Sequence, residues 1–260
     1  MRPLAATVTA ALTAGARSLV DLALPPACAG CGTPDGLEGK LCGQCNLALL
    51  SLVSMSYCPR CGATLGPHVP AKDDGCSACP TPLPRFRRVV RLGPYAPPLR
   101  TAARDLKYRR RETMRRRLGR MLAESVAARC SDRPLEVVMP VPMHWRRRLG
   151  RGCDHARLLA RTVSRRLGLP VGRELIRVRN TPPQVHLPRT RRIENVRGAF
   201  SITAARGIAG AHVLLVDDVT TTGATANEAA RAMLNAGAGA VTLAVLAKAE
   251  PPLAYAQAVP

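Results

Sequence analysis

Four consecutive apolar residues, Val213-Leu-Leu-Val216, run without alternation and end on an acidic pair, Asp217-Asp218. An unbroken apolar run bounded by polar residues predicts a parallel strand covered on both faces. From Asn227 to Ala236 the apolar positions return at helical spacing, so the loop between strand and helix falls at a helix N-terminus. A second run, Val137-Val-Met-Pro-Val-Pro142, reads as a neighbouring strand that enters a basic loop. Tyr95-Ala-Pro-Pro-Leu-Arg100, followed by Leu106-Lys107-Tyr108, reads as a turn and then a basic amphipathic helix. Residues 4–24 are apolar but interrupted by Arg17 and Asp21, the pattern of a short amphipathic lead-in helix rather than a signal peptide or an anchor. No run is long enough to span a bilayer.

The loop after Asp218 carries the chemistry. A helix N-terminus presents backbone N–H groups and the positive end of the helix dipole, both of which attract phosphate. Gly223 permits close backbone approach, and Thr220, Thr221 and Thr222 add hydroxyl donors. Ligands of open α/β sheets bind at the carboxyl ends of the strands, where Asp217 and Asp218 sit. Paired carboxylates there can hold ribose hydroxyls directly or through Mg2+. The competing reading is a buried strand ending in a solvated Asp pair. A Walker loop is excluded, because its phosphate-binding Lys is missing and the acidic pair precedes the loop.

A ladder of cysteines precedes this region: Cys28/Cys31, Cys42/Cys45, Cys58/Cys61 and Cys76/Cys79, each a C-x-x-C, with 10, 12 and 14 residues between successive pairs. Two such turns supply the four thiolates that structural zinc prefers, so two zinc sites are expected. Consecutive pairing gives two small ribbons; an interleaved pairing uses the same residues. Disulfides would need an oxidising compartment, for which no secretory signal speaks. A redox dithiol or an iron–sulfur site fits four evenly paired motifs with Gly32, Gly43, Pro59 and Gly62 in or beside the turns less well. Cys130 and Cys153 stand outside the ladder and read as packing residues.

With 260 residues and 47% apolar content, the chain can form one medium α/β domain and a small module. Aromatic residues make up only 3%, so the core must be built from Ala, Val and Leu, and few rings are available to stack bases. The formal net charge of +22 is uneven: residues 1–84 hold five basic and five acidic residues, whereas 85–120 hold fourteen basic and two acidic. Such a concentration suits a polyanion more than it suits a small phosphorylated ligand, the alternative being a solvated arginine-rich face. Arg109, Arg110, Arg111, Arg115, Arg116 and Arg117 are the nucleic-acid candidates.

The stretch Val213 to Thr225 resembles the signature of type I phosphoribosyltransferases, which bind 5-phosphoribosyl-1-pyrophosphate (PRPP). Together with the cysteine ladder, the segment after Tyr95, the strand entering Arg147 and Arg151-Gly152, and Gln184-x-x-Leu187 with Arg192, Asn195 and Gly198-Ala-Phe200, the chain resembles the ComF family. That family joins a double zinc ribbon to a phosphoribosyltransferase domain and is linked to competence and DNA uptake. The resemblance implies that Asp217, Asp218, Thr220, Thr221, Thr222, Gly223, Ala224 and Thr225 bind PRPP with Mg2+. Pro142, Met143, His144, Arg147 and Arg151 would form the pyrophosphate loop, and Gln184 to Phe200 a hood over the site. The family tends to read Arg-Gly-aromatic-Asn-Gln where this chain has Arg151-Gly152-Cys153-Asp154-His155. The position of the acidic base in purine-salvage relatives falls on Thr221, which cannot act as a base near neutral pH.

The expected architecture is α/β: a type I phosphoribosyltransferase fold, a parallel sheet flanked by helices and carrying a hood, preceded by a double zinc-ribbon module. Its parts are a lead-in helix at 1–24, the ribbons at 25–82, a basic helical connector at 83–130, the phosphoribosyltransferase domain at 131–250 and a loose tail at 251–260. Expected partners are PRPP, single-stranded DNA and other proteins of DNA uptake. The expected location is cytoplasmic, extending to the inner face of the membrane. The expected activity is phosphoribosyl transfer to an unknown acceptor; the alternative is a non-catalytic single-stranded-DNA-binding accessory that keeps the PRPP site as a sensor.

Overall fold

The computed structural model describes residues 27–34, 40–66, 69–70, 72–106, 112–144, 154–182 and 188–251. The proposed lead-in helix, Arg109, Arg110, Arg111, Arg147, Arg151 and nearly all of the tail lie outside the described residues. In chain order the elements are α1 (Gly43–Ser54), β1 (Arg88–Pro94), α2 (Leu99–Asp105), α3 (Glu112–Arg129), β2 (Val137–Pro140), α4 (His155–Leu167), β3 (Leu175–Arg177), α5 (Arg189–Val196), β4 (Phe200–Ile202), β5 (His212–Thr220), α6 (Ala224–Asn235) and β6 (Ala240–Lys248).

Four strands form a parallel sheet in the order β1-β6-β5-β2, and β3 and β4 form a separate antiparallel pair. Successive residues of β5 face opposite sides. Leu214 and Val216 pack into a core shared with Leu118, Leu122 and Leu159 of α3 and α4, while Val213 and Leu215 join Ala226, Ala229 and Met233 of α6. This is why the strand reads as an unbroken apolar run: both pleat faces are dry, and each buried Leu or Val is worth roughly 1.5–3 kcal/mol. Helix α4 starts on Asp154, whose side chain accepts from the Arg157 N–H at 3.1 Å, and stops at Gly168 in the left-handed region.

The segment 83–130 differs from the expected helical connector in one respect. It does contain two helices, but it opens on β1, the edge strand that pairs with β6 from Arg88↔Thr242 to Pro94↔Lys248. Arginine density disguised this strand: Arg91 sits between the buried Val90 and Leu92 and is itself buried. Its guanidinium meets the Glu250 carboxylate at 3.0 Å, donates to Thr64 Oγ1 at 2.7 Å and stacks on the Tyr57 ring at 5.0 Å. Glu250 in turn accepts from the Thr64 N–H at 2.7 Å, so the second cysteine module is tied to the sheet through a buried polar knot. The first is tied through α1, where Leu52 packs against Gly93 so closely that a Cβ there would lie 3.0 Å from the Leu52 carbonyl oxygen.

Candidate functional site

Strand β5 carries Asp217 and Asp218 in register with the last turns of its neighbour: Asp217 lies opposite Val245, and Thr220 opposite Lys248. The chain then turns through Thr221, Thr222 and Gly223 into α6. Gly223 caps the helix with φ +77°, a left-handed conformation that side chains with a Cβ resist. A Cβ at Gly223 would meet Phe86 at an ordinary 3.5 Å, so backbone conformation rather than space demands glycine. With no side chain at the cap, the helix start is served by Thr222, whose Oγ1 accepts from the Ala224 N–H at 3.3 Å. The loop is pinned from the far side: the Ala249 N–H donates to the Thr220 carbonyl at 2.7 Å, and the Lys248 ammonium donates to the Thr221 carbonyl.

The carboxylates are held stiffly. Asp217 accepts from the Asp218 N–H at 2.9 Å, and Asp218 from the Val219 N–H at 2.7 Å. Burial, reinforced by the Asp218 charge beside it, holds the Asp217 carboxyl well above the usual carboxylate range. A carboxyl that favours its proton for those two reasons would exchange it for a divalent cation or for hydroxyl donors. A cavity of about 370 Å3 opens at the pair, lined also by Tyr95, Ala103 and Arg104, by Thr221 and Gly223 to Ala226, and by Arg192 of α5.

The residues singled out in the sequence distribute unevenly. Asp217, Asp218, Thr220, Thr221, Gly223, Ala224 and Thr225 line this one cavity; Thr222 lines an adjoining one of about 630 Å3 that reaches the second cysteine module. Pro142 and Met143, partly exposed, and the buried His144 follow β2, whose Pro140 lies opposite Val216. Arg117 points away from the cavity and donates to Asn46 of α1, and Arg115 and Arg116 face Glu112. Sequence reading missed Lys248, Ala249 and Glu250. The apolar run of β6 carries a signal for them, since a strand parallel to β5 must end at the same edge.

The cysteines gather consecutively. Cys28, Cys31, Cys42 and Cys45 form one cluster and Cys58, Cys61, Cys76 and Cys79 another, the four sulfurs of each lying within 4.8 Å of one another. Cys31 and Cys42 are 3.9 Å apart, Cys58 and Cys79 3.7 Å, and Cys61 and Cys76 3.7 Å. Ligands at about 2.3 Å around tetrahedral zinc are separated by about 3.8 Å, so both clusters fit the ion. Electrostatics agrees. Burial raises the Cys28 thiol, but backbone N–H groups of Cys31, Cys42 and Gly30 outweigh it and hold the thiol at about 6. Cys45 is pushed far up by burial and by its neighbouring thiols, the state of a ligand set that wants a cation. The N–H groups of Gly30 and Cys42 donate to Cys28 Sγ at 3.3 and 3.2 Å, orienting it for metal.

Sequence comparison places two domain families on these two parts: a double zinc ribbon domain on residues 19–84 and a phosphoribosyl transferase domain on residues 154–255. The fold is accordingly that of a phosphoribosyltransferase-type α/β domain preceded by a cysteine-rich double ribbon. DNA utilization protein YhgH of Salmonella typhi is 34% identical over 226 residues, covering 85% of this chain and 96% of the relative. The protein of the same name from Escherichia coli (strain K12) is 33% identical over the same shares of both chains. Competence protein F of Haemophilus influenzae is 31% identical over 212 residues, 80% of this chain and 91% of the relative. The chain belongs to the ComF family, which these relatives represent. Among the described residues, no helix is long and apolar enough to cross a membrane.

Proposed function

We propose that the carboxyl edge of the sheet binds PRPP with Mg2+ and that the chain serves DNA uptake as a phosphoribosyltransferase-domain protein. The observation that carries this reading is the strand-loop-helix unit itself: a stiff carboxylate pair, one member clinging to its proton, a few residues before a left-handed glycine that opens a helix. Asp217 and Asp218 would hold the ribose hydroxyls and the metal, and Thr220 to Thr225 the 5-phosphate. Pro142, Met143, His144, Arg147 and Arg151 would receive pyrophosphate, with the two arginines as charge-assisted donors. In turnover the bond from the anomeric carbon to pyrophosphate breaks as the bond to the acceptor forms, and the protein's part is to position both groups and stabilise the leaving charge. Mg2+ would supply Lewis-acid stabilisation of the pyrophosphate.

The names of the relatives, DNA utilization protein and competence protein, together with the basic middle of the chain, support single-stranded DNA and other uptake proteins as partners, met in the cytoplasm or at the inner membrane face. Thr221, with no acidic side chain where purine-salvage relatives carry their base, favours an acceptor that needs no deprotonation, or a site that binds PRPP without turnover.

Titration calorimetry with PRPP and Mg2+ tests the assignment. The double variant Asp217→Asn/Asp218→Asn is expected to lose binding, and Gly223→Val to weaken it by straining the loop. Unchanged affinity in both variants would refute it. Pyrophosphate release, with and without single-stranded DNA and nucleobases, separates a transferase from a sensor.

A further inference from the structure

Helices α3 and α4 lie side by side on one face of the sheet and cross closely at Gly119, where a Cβ would come within 2.7 Å of Thr162 Cγ2. The groove along their outer seam, about 940 Å3, is lined by Arg115, Arg116 and Arg120 from one wall and Arg161, Arg165 and Arg166 from the other. Among the described residues, two carboxylates pair with these six guanidinium groups. Glu112 meets Arg116 at 2.7 Å and Arg115 at 3.7 Å, and Glu124 meets Arg166 at 3.5 Å across side chains that are 59% and 57% exposed. Exposed pairs of this kind hold their partners by at most about 1 kcal/mol, so phosphate can displace them. The α4 wall begins one turn after Asp154, a residue close enough to Asp217 to raise its proton affinity, so the groove runs away from the edge that carries the carboxylate pair.

We propose that this groove is a track for the phosphodiester backbone of single-stranded nucleic acid. Guanidinium forks match phosphate bidentately, and two facing rows present them at successive helical turns along about 7.5 Å of helix. Because the helices are drawn together at Gly119, the two rows of arginines face one another across a single seam, an arrangement suited to one backbone laid along it. Among the described residues that line it, Leu158, Thr113 and Thr162 complete the surface and none is aromatic, so the contact is to backbone and carries no base preference. A membrane surface is flat and would engage a convex face, whereas these arginines converge from two walls. The proposal rests on the DNA-handling part of the reading above, not on PRPP binding, and gives it a place that includes four arginines on or facing α4 outside the run from Arg109 to Arg117.

Fluorescence anisotropy with labelled oligothymidylate between 50 and 200 mM salt tests it. The triple variant Arg161→Gln/Arg165→Gln/Arg166→Gln should lower the slope of log affinity against log salt by about 2, at roughly 0.7 per phosphate lost. On the other wall, Arg116→Gln/Arg120→Gln should lower it by about 1.4. Both should leave the circular dichroism spectrum and PRPP titration unchanged, and Arg117→Gln, which faces α1, should leave oligonucleotide binding unchanged. Oligonucleotide binding that survives in Asp217→Asn/Asp218→Asn would separate the groove from the PRPP site. A salt slope and affinity equal to the parent's in both groove variants overturns the proposal. So does loss of binding to phosphatidylglycerol vesicles in a protein that never bound the oligonucleotide.

Discussion

Replacing Glu250 with alanine removes the counter-charge from a guanidinium that is sealed inside the protein. The Arg91 side chain is 0% exposed and that of Glu250 5%, at a separation of 3.0 Å. Breaking such a pair by deleting one member costs about 3–5 kcal/mol, because the remaining charge stays desolvated. Arg91 keeps Thr64 Oγ1 and the Tyr57 ring, neither of which carries a negative charge, while the Thr64 N–H loses its acceptor. The pair Arg116–Glu112 has similar chemistry at 2.7 Å but side chains 68% and 54% exposed, so Glu112→Ala should cost at most about 1 kcal/mol. Urea unfolding of zinc-loaded protein, followed by circular dichroism, reads the contrast. With a slope of about 1–3 kcal/mol per molar, Glu250→Ala should move the midpoint down by at least about 1 M. The double variant Arg91→Met/Glu250→Met should recover most of that loss. If Glu250→Ala falls within about 1 kcal/mol of Glu112→Ala, Arg91 is hydrated and the buried knot is not what fixes the second ribbon.

Reduced, unchelated protein should contain zinc at both clusters, about two ions per chain, and Cys42→Ser should drop this to about one while the sheet stays folded; metal content by mass spectrometry near zero in the parent would remove the ribbons' metal. The raised Asp217 carboxyl makes a pH prediction for metal-free protein. Its folded state holds the proton more tightly than the unfolded chain, so the stability this contributes is complete below about pH 3.9 and is lost as pH rises through the higher folded value. Asp217→Asn, which cannot ionise, should therefore gain in melting temperature over the parent from mildly acidic to neutral pH; parallel curves would show that Asp217 is not strained. Gly119→Val should push α3 from α4, costing roughly 1–3 kcal/mol in denaturant unfolding, and an unchanged midpoint would mean the helices part freely.

The strand-loop-helix unit is legible because each of its demands falls on consecutive residues: dry faces on Val213 to Val216, charge on Asp217 and Asp218, conformation on Gly223. The cysteine ladder is legible for the same reason, since metal geometry is written in short spacings. Strand β1 is not, because its partner β6 lies at the other end of the chain and its central Arg91 looks like surface until Glu250 is beside it. The arginine-rich segment also hides a division. Arg115 and Arg116 share a groove with α4, while Arg117, next in sequence, turns to α1. A helix rotates about 100° per residue, so neighbours in a charge run face different surroundings, and composition alone counts them together.

The hydrogen bond from Thr64 to Glu250 joins residues 186 apart, which sets a timetable for the nascent chain. At about 5–20 residues per second, roughly 10–40 s pass between synthesis of the two. For most of that interval, once Cys79 and then Pro94 have been added, both cysteine clusters are already made while β1 still lacks its pairing strand. The ribbons must then capture their metal on local geometry alone, and the sheet closes over β1 only when the last strand arrives.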